Sequence, residues 1–325
     1  MTILLSHLLD RVEPAVEAQV KRALSRSRTV VRDALRTECR LAMRSSDEAD
    51  ERGTMAQVPI EVVPGYPVAL ASISFEDDLR HVLLLSRFRM ALAQAAAGAT
   101  GLIELHGEMR RLPNADRWAP ESDDAFRETR DWATEMLKRL AEHDPVGKVL
   151  AVNEDILGSY GYDATGTEEF GVNRASIRLY WGVIGLVSEW LGCAVEDLTV
   201  VVLAHELAHA YTQLGADIEG RRWPSGAFSR AETDLKEGLA QYYTERALQR
   251  LQTRFPGAIT TFATLLAKQP EPYHRHEPWA SDVSPEAVRR AMIEVRRWNE
   301  GRLDQFESRL KKASEEFKPL NDGLL

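Results

Sequence analysis

The sequence of 325 residues has few cysteines and no long apolar run. Its two cysteines, Cys39 and Cys193, are too few for a disulfide framework or a four-cysteine zinc site, and they predict reduced thiols in the cytoplasm. No stretch approaches the roughly 18 consecutive apolar residues of a transmembrane helix. The apolar segment 1–10 has no basic residue before its apolar run, so it does not resemble a secretory signal. We therefore expect a cytoplasmic protein with no membrane partner.

The chain also has fewer basic than acidic residues. The chain has 41 Lys and Arg against 50 Asp and Glu, which gives a net charge of −9. A protein with this balance has no surplus of cations to neutralise phosphates, so we expect no nucleic-acid partner. The composition, 44% hydrophobic and 28% charged, is typical of a soluble globular protein with a sizeable core.

The first part of the chain, residues 1–145, is predicted to be a mostly helical accessory region. Apolar residues recur at helical spacing over 14–43, and helical character returns over 75–97 and 121–142. Between them, 58–73 is β-leaning but broken by prolines, which predicts short or edge strands. The amphipathic helix over 14–43 could bind a protein partner, although such a stripe more often packs on its own chain.

The second part, residues 146–325, is predicted to be a separate domain with strands and carboxyl-terminal helices. Its strand candidates are 148–152, 156–160 and 177–181, and its helix candidates are 185–191, 195–214 and a long segment that starts at Ser284. This pattern predicts an α+β fold, mostly helical, with a small mixed or antiparallel sheet.

A motif that can carry chemistry lies in the apolar helix over 195–214. It reads His-Glu-Leu-Ala-His over His205–His209. Residues four apart leave the same helix face, so the imidazoles of His205 and His209 can close on one metal ion, for which zinc is the best match. Glu206 projects about 100° round the helix. It would stand beside the ion, placed to take a proton from a bound water.

A catalytic zinc needs a third protein ligand. The histidine that metzincins place six residues further on is absent, because that position is Gly215. The acidic candidates downstream are Asp217, Glu219, Glu232, Asp234, Glu237 and Glu245. Glu237 is preferred, because Gly238 and Ala240 would let its helix approach the motif helix closely. Asp234 lies on the same face as Glu237 and could orient a ligand histidine.

The two segments together, His-Glu-Leu-Ala-His and Glu-Gly-Leu-Ala from Glu237, resemble the gluzincin metallopeptidases. The resemblance covers about 177–245 and implies a zincin-like core with one zinc ion. It also implies that His205, His209 and Glu237 are the ligands and Glu206 is the catalytic base. Gluzincins pair an extended substrate with a strand beside the motif helix, and the segment 177–181 is the candidate for that strand.

Such enzymes also use a Tyr or His that stabilises the oxyanion. Tyr273, His274 and His276 are the candidates, in a loop after the core helices, with Tyr273 and His276 preferred. The function predicted is a zinc endopeptidase that acts on a protein or peptide. The alternative is a non-catalytic, zinc-stabilised binding or regulatory protein that works through its amino-terminal helical region.

Overall fold

The computed structural model describes residues 2–43, 58–76, 88–114, 120, 122–142, 144–152, 155–162 and 175–317. Helices, including two short 3-10 helices, account for 69% of these residues. The α-helices are α1 (Leu5–Leu9), α2 (Ala15–Cys39), α3 (Arg89–Arg110), α4 (Asp124–Glu142), α5 (Pro145–Leu150), α6 (Trp181–Leu191), α7 (Val195–Leu214), α8 (Ser225–Arg230), α9 (Thr233–Arg250), α10 (Pro256–Leu266), α11 (Glu277–Asp282), α12 (Pro285–Arg297) and α13 (Leu303–Glu316). Short 3-10 helices cover Val68–Ser72 and Glu271–His274.

The strands form two small sheets. They are β1 (Thr2–Leu4), β2 (Ile60–Val63), β3 (Ser74–Glu76), β4 (Gly158–Tyr162) and β5 (Ala175–Tyr180). In the larger sheet β5 lies in the middle, parallel to β2 and antiparallel to β4. In the smaller sheet β1 pairs antiparallel with β3. The prediction of a mostly helical α+β fold with a small mixed sheet is confirmed.

Several local predictions need correction. The segment 148–152 was expected to be a strand, but α5 occupies most of it, because the Asp144 side chain caps this helix at the Gly147 amide and proline suits its first turn. The long helix expected after Ser284 is two helices, α12 and α13, which are separated at Asn299 with its left-handed φ of 54°. Residues 77–87 of the predicted helix over 75–97 lie outside the described residues.

The core is built around α7, whose side chains are buried from Leu198 to Leu214. Helix α2 packs along one side of α7 and α9 packs along another, with β4 and β5 nearby. In the apolar stripe of α2, Val20, Val31 and Leu35 are fully buried in this core, and Val16 and Leu24 are partly buried against it. The apolar face of α2 is therefore covered by its own chain. The division of the chain at residue 145 stays a prediction. Helices α2 and α7, which lie on either side of that boundary, contribute to the same core.

Helices α3 and α4 pack against each other around a small core of Leu92, Ala133 and Leu140. Arg89 joins this pair to the rest of the protein by donating a hydrogen bond of 3.1 Å to the Trp190 carbonyl. Among the helices of the described ranges, none has both the length and the apolar character needed to span a bilayer.

Candidate metal centre

Two packed helices bring three predicted ligands together. His205 and His209 leave one face of α7, and their Nε2 atoms are 3.2 Å apart. Glu237 reaches across from α9, and its Oε2 lies 3.3 Å from the Nε2 of each histidine. A helix was predicted from Val195 to about Leu214, and α7 confirms it.

These three separations fit a bound cation. Zinc holds its nitrogen and oxygen ligands at about 2.0–2.1 Å, which puts the ligand atoms of a tetrahedral site about 3.3–3.4 Å apart. The three observed distances of 3.2, 3.3 and 3.3 Å match that spacing. In addition, Glu237 Oε2 is buried and makes no hydrogen bond to any residue that the structure describes. The donor set is therefore suited to a metal ion.

A fourth group, Asp155, completes the cluster and was missed in the sequence. Its Oδ1 lies 3.5 Å from His205 Nε2, and its Oδ2 lies 3.7 Å from His209 Nε2. One ligand atom from each of the four residues lies within 4.8 Å of the others. Asp155 precedes β4 in an irregular segment far upstream of the motif. No spacing rule connects it to His205, so the sequence carried no signal for it.

The electrostatics of the cluster favour positive charge at its centre. Burial lowers the pKa of His205, but Asp155 and Glu237 outweigh burial, and the pKa lies well above its ordinary value. Burial opposes ionisation of Glu237, yet His209 and His205 hold its pKa below the ordinary range. These carboxylates therefore stabilise a cation between them, whether a metal ion or a proton on imidazole.

Glu206 lies beside the cluster and is only 1% exposed. Burial, and then the negative charge of Asp155, raise the pKa of Glu206 well above its usual value. Its carboxylate helps to line a cavity of about 40 Å³, which is also lined by His205, Asp155 and Tyr273. A volume of this size has room for one or two water molecules.

Strand β4 approaches Glu206 very closely at Gly158. A Cβ atom at this position would lie 2.7 Å from Glu206 Oε1 and 2.8 Å from Val202 Cγ1. Real Cβ atoms essentially never come that close to a neighbour. The glycine therefore lets the backbone of the strand reach the carboxylate.

Two tyrosines flank the histidines. The Tyr273 ring stacks on His205 with centroids 5.8 Å apart, and its hydroxyl donates a hydrogen bond of 2.9 Å to Asp155 Oδ1. The Tyr160 ring lies parallel to His209 at 6.4 Å, and its hydroxyl donates to Gln213 at 2.7 Å. Tyr273 was a predicted site residue and lies in the site. Tyr160 was not predicted, because its strand lies far from the motif in sequence.

The other two candidate oxyanion donors, His276 and His274, are bound by groups that do not belong to the metal cluster. His276 is 1% exposed; its Nδ1 lies 2.8 Å from the Tyr273 carbonyl and its Nε2 lies 3.3 Å from Glu245. Both nitrogens of His276 thus stabilise the turn that carries Tyr273, so the prediction of His276 as an oxyanion donor is corrected. His274 is likewise engaged, by Glu277 at 2.8 Å and by the Gln269 carbonyl at 3.1 Å.

Two further expectations about α9 are wrong. Asp234 does not orient a ligand histidine, because it accepts a hydrogen bond of 2.7 Å from Arg275. Gly238 does not serve the approach of α9 to α7. A Cβ there would lie 2.7 Å from the Trp279 ring, so the glycine makes room for that indole. Ala240, which is fully buried, is the small residue that remains for the helix contact.

No protein-family model, no curated protein and no solved structure matches this chain. The resemblance to gluzincins therefore depends on the residues of the two motif segments alone. Function must then be argued from the site itself, from its geometry and its chemistry.

Proposed function

We propose that this protein is a gluzincin-like zinc peptidase that hydrolyses peptide bonds in a protein or peptide substrate. The observation that carries the proposal is the cluster of His205, His209 and Glu237 at the spacing of metal ligands, with Glu206 buried beside it in the same cavity. A carboxylate that is next to the ligands, and is not one of them, is what a hydrolytic metal site needs as a base.

Zinc is proposed as the metal because two imidazoles and a carboxylate suit it. When bound, it would lower the pKa of a coordinated water toward about 7 and polarise the carbonyl of the substrate. Glu206 would accept the proton of that water and later deliver it to the leaving amine. The Tyr273 hydroxyl would donate to the oxyanion of the substrate. The cavity walls exclude bulk water from Glu206 and so strengthen these interactions.

The strand that would bind substrate is β4, and this corrects the expectation for 177–181. Most of that segment is β5, whose two edges are already paired with β2 and β4. Within the described ranges β4 pairs with β5 alone, so its second edge is available to an extended peptide. Because Gly158 of β4 contacts Glu206, a peptide on this edge would run beside the base.

A substitution at Glu206 tests the proposal. Glu206→Gln should keep stoichiometric zinc, because this residue is not a ligand, and should lose about 10²–10⁴-fold in cleavage of a peptide library. Glu196→Gln is the matched control, since Glu196 lies on the first turn of the same helix, exposed to solvent. Cleavage that is undiminished in Glu206→Gln would exclude the proposed mechanism. Peptides blocked at both ends would distinguish an endopeptidase, which cuts them, from an exopeptidase.

A second candidate function is a non-catalytic, zinc-stabilised regulatory protein. Asp155 favours it, because four protein ligands around zinc are typical of closed, structural sites. Its proposed working surface, the apolar face of α2, is buried against α7 and α9, which counts against that part of the hypothesis. Bound zinc together with no cleavage of any peptide would favour this second function.

A further inference from the structure

Asp155 differs from the other three members of the cluster in how it is held. His205, His209 and Glu237 lie on packed helices, and their side chains are 10%, 4% and 10% exposed. Asp155 lies outside any helix or strand, and its side chain is 23% exposed. Its oxygens are also further from the imidazole nitrogens, at 3.5 and 3.7 Å. Asp155 is therefore the member of the cluster that can move away from the metal position with the least disruption of the packed helices.

Asp155 lies where a catalytic zinc would need an open coordination position for its reacting water. A catalytic zinc has three protein ligands and keeps its fourth position for water or substrate. With Asp155 as a ligand, no position is left open. Two neutral histidines and two carboxylates would also cancel the charge of a divalent ion, and that charge is what acidifies a bound water.

The contacts of Tyr273 indicate that this residue holds the Asp155 carboxylate in place. Its hydroxyl donates to Asp155 Oδ1 at 2.9 Å, while its ring stacks on the ligand His205. One side chain thus fixes the carboxylate against the metal-binding cluster. The same hydroxyl, once Asp155 has left, is free to donate to a substrate oxygen at this cavity.

We propose that Asp155 is a displaceable fourth ligand that closes the metal site in the resting protein, and that Tyr273 is the positioning residue that holds it there. This inference rests on the proposed function. Opening is a ligand exchange in which the carboxylate leaves and water enters. No bond within the chain is formed or broken, and the Tyr273 hydroxyl keeps its proton.

Cobalt substitution tests the proposal without relying on activity. The visible spectrum of Co²⁺ depends on the number and the kind of its ligands. Asp155→Ala should keep one equivalent of metal and change the wavelength and intensity of this absorption, because water replaces a carboxylate among the ligands, and its peptide cleavage should exceed that of the parent protein. Tyr273→Phe should shift the spectrum in the same direction. Asp234→Ala, which removes a nearby carboxylate that contacts Arg275 and no ligand, should leave spectrum and metal content unchanged.

Glu237→Ala provides the comparison for a permanent ligand and should lose the metal. An unchanged cobalt spectrum in Asp155→Ala would show that Asp155 is not a ligand and would overturn the proposal. Loss of metal in Asp155→Ala, as in Glu237→Ala, would make it a permanent ligand and would also overturn it. If the spectrum changes as expected but no variant cleaves any peptide, the ligand assignment is supported and the proposed peptidase function fails.

Discussion

Replacement of Gly158 by alanine should damage both the stability of the protein and the position of its proposed base. The added Cβ would lie 2.7 Å from Glu206 Oε1, 2.8 Å from Val202 Cγ1 and 2.9 Å from Glu206 Cγ. All three atoms belong to buried side chains of α7, which cannot move aside into solvent. Overpacking of this kind costs about 1–3 kcal/mol, so we expect the free energy of unfolding to fall by that amount.

The same substitution should affect catalysis and metal binding differently. Displacement of Glu206 by about 1 Å can reduce cleavage about 100-fold. Zinc affinity should stay unchanged, because Glu206 is not among the ligands. Denaturant unfolding of the metal-loaded protein gives the stability, a peptide-cleavage assay gives the rate, and a competition titration gives the metal affinity.

Gly161→Ala is the matched control for Gly158→Ala. Both glycines lie on β4, but among the described residues a Cβ at Gly161 would meet Ser176 alone, with its nearest atom at 3.7 Å. We expect this change to alter stability by no more than about 0.5 kcal/mol. Equal losses for the two variants would refute the argument that β4 is packed tightly on α7. Normal cleavage by Gly158→Ala would refute the claim that the position of Glu206 matters.

Three other predictions follow from the site and the thiols. Removal of the proposed zinc by a chelator should destabilise the fold by about 4 kcal/mol relative to metal at 1,000 times Kd, or roughly 6 °C in Tm for 325 residues, as measured by calorimetry. Because the pKa of His205 is raised, zinc must displace a proton at neutral pH. Affinity should therefore rise about tenfold per pH unit until that pKa is passed, and competition titrations that show a flat profile would contradict this. Burial raises the pKa of Cys39 from 9.0 to about 12 and that of Cys193 to about 11. Alkylation followed by mass spectrometry should find Cys39 at least about 1,000-fold slower in the native than in the denatured protein, and slower than Cys193.

Local patterns in the sequence predicted the motif helix and three members of the candidate metal cluster. Burial of α7 on nearly every side follows from its composition, and the spacing of His205 and His209 follows from helical geometry. Glu237 was predicted from its small neighbours, although Gly238 serves Trp279 instead. The role expected of Gly238 was therefore wrong, although Glu237 does lie in the cluster.

What the sequence did not reveal depends on contacts between distant segments. Asp155 joins the cluster from an irregular segment, and no periodicity marks a residue of that kind. The assignment of 177–181 as a substrate strand likewise took no account of strand order. Strand order depends on which segments pair in three dimensions, and β5 acquires a partner on each side. Asp234 was assigned to the histidines from its helical face alone, whereas Arg275 approaches from another element and binds it.

The packing of α2 on α7 has a consequence for synthesis of the chain. Tyr211 on α7 donates a hydrogen bond to the Arg32 carbonyl, which lies 179 residues earlier. At the usual rate of 5–20 residues per second, α2 leaves the ribosome roughly 10–35 s before its partner helix exists. During that interval Val20, Val31 and Leu35 have no core to enter. We therefore expect nascent chains to present the apolar stripe of α2 to chaperones, as a temporary surface that disappears when α7 has been synthesised.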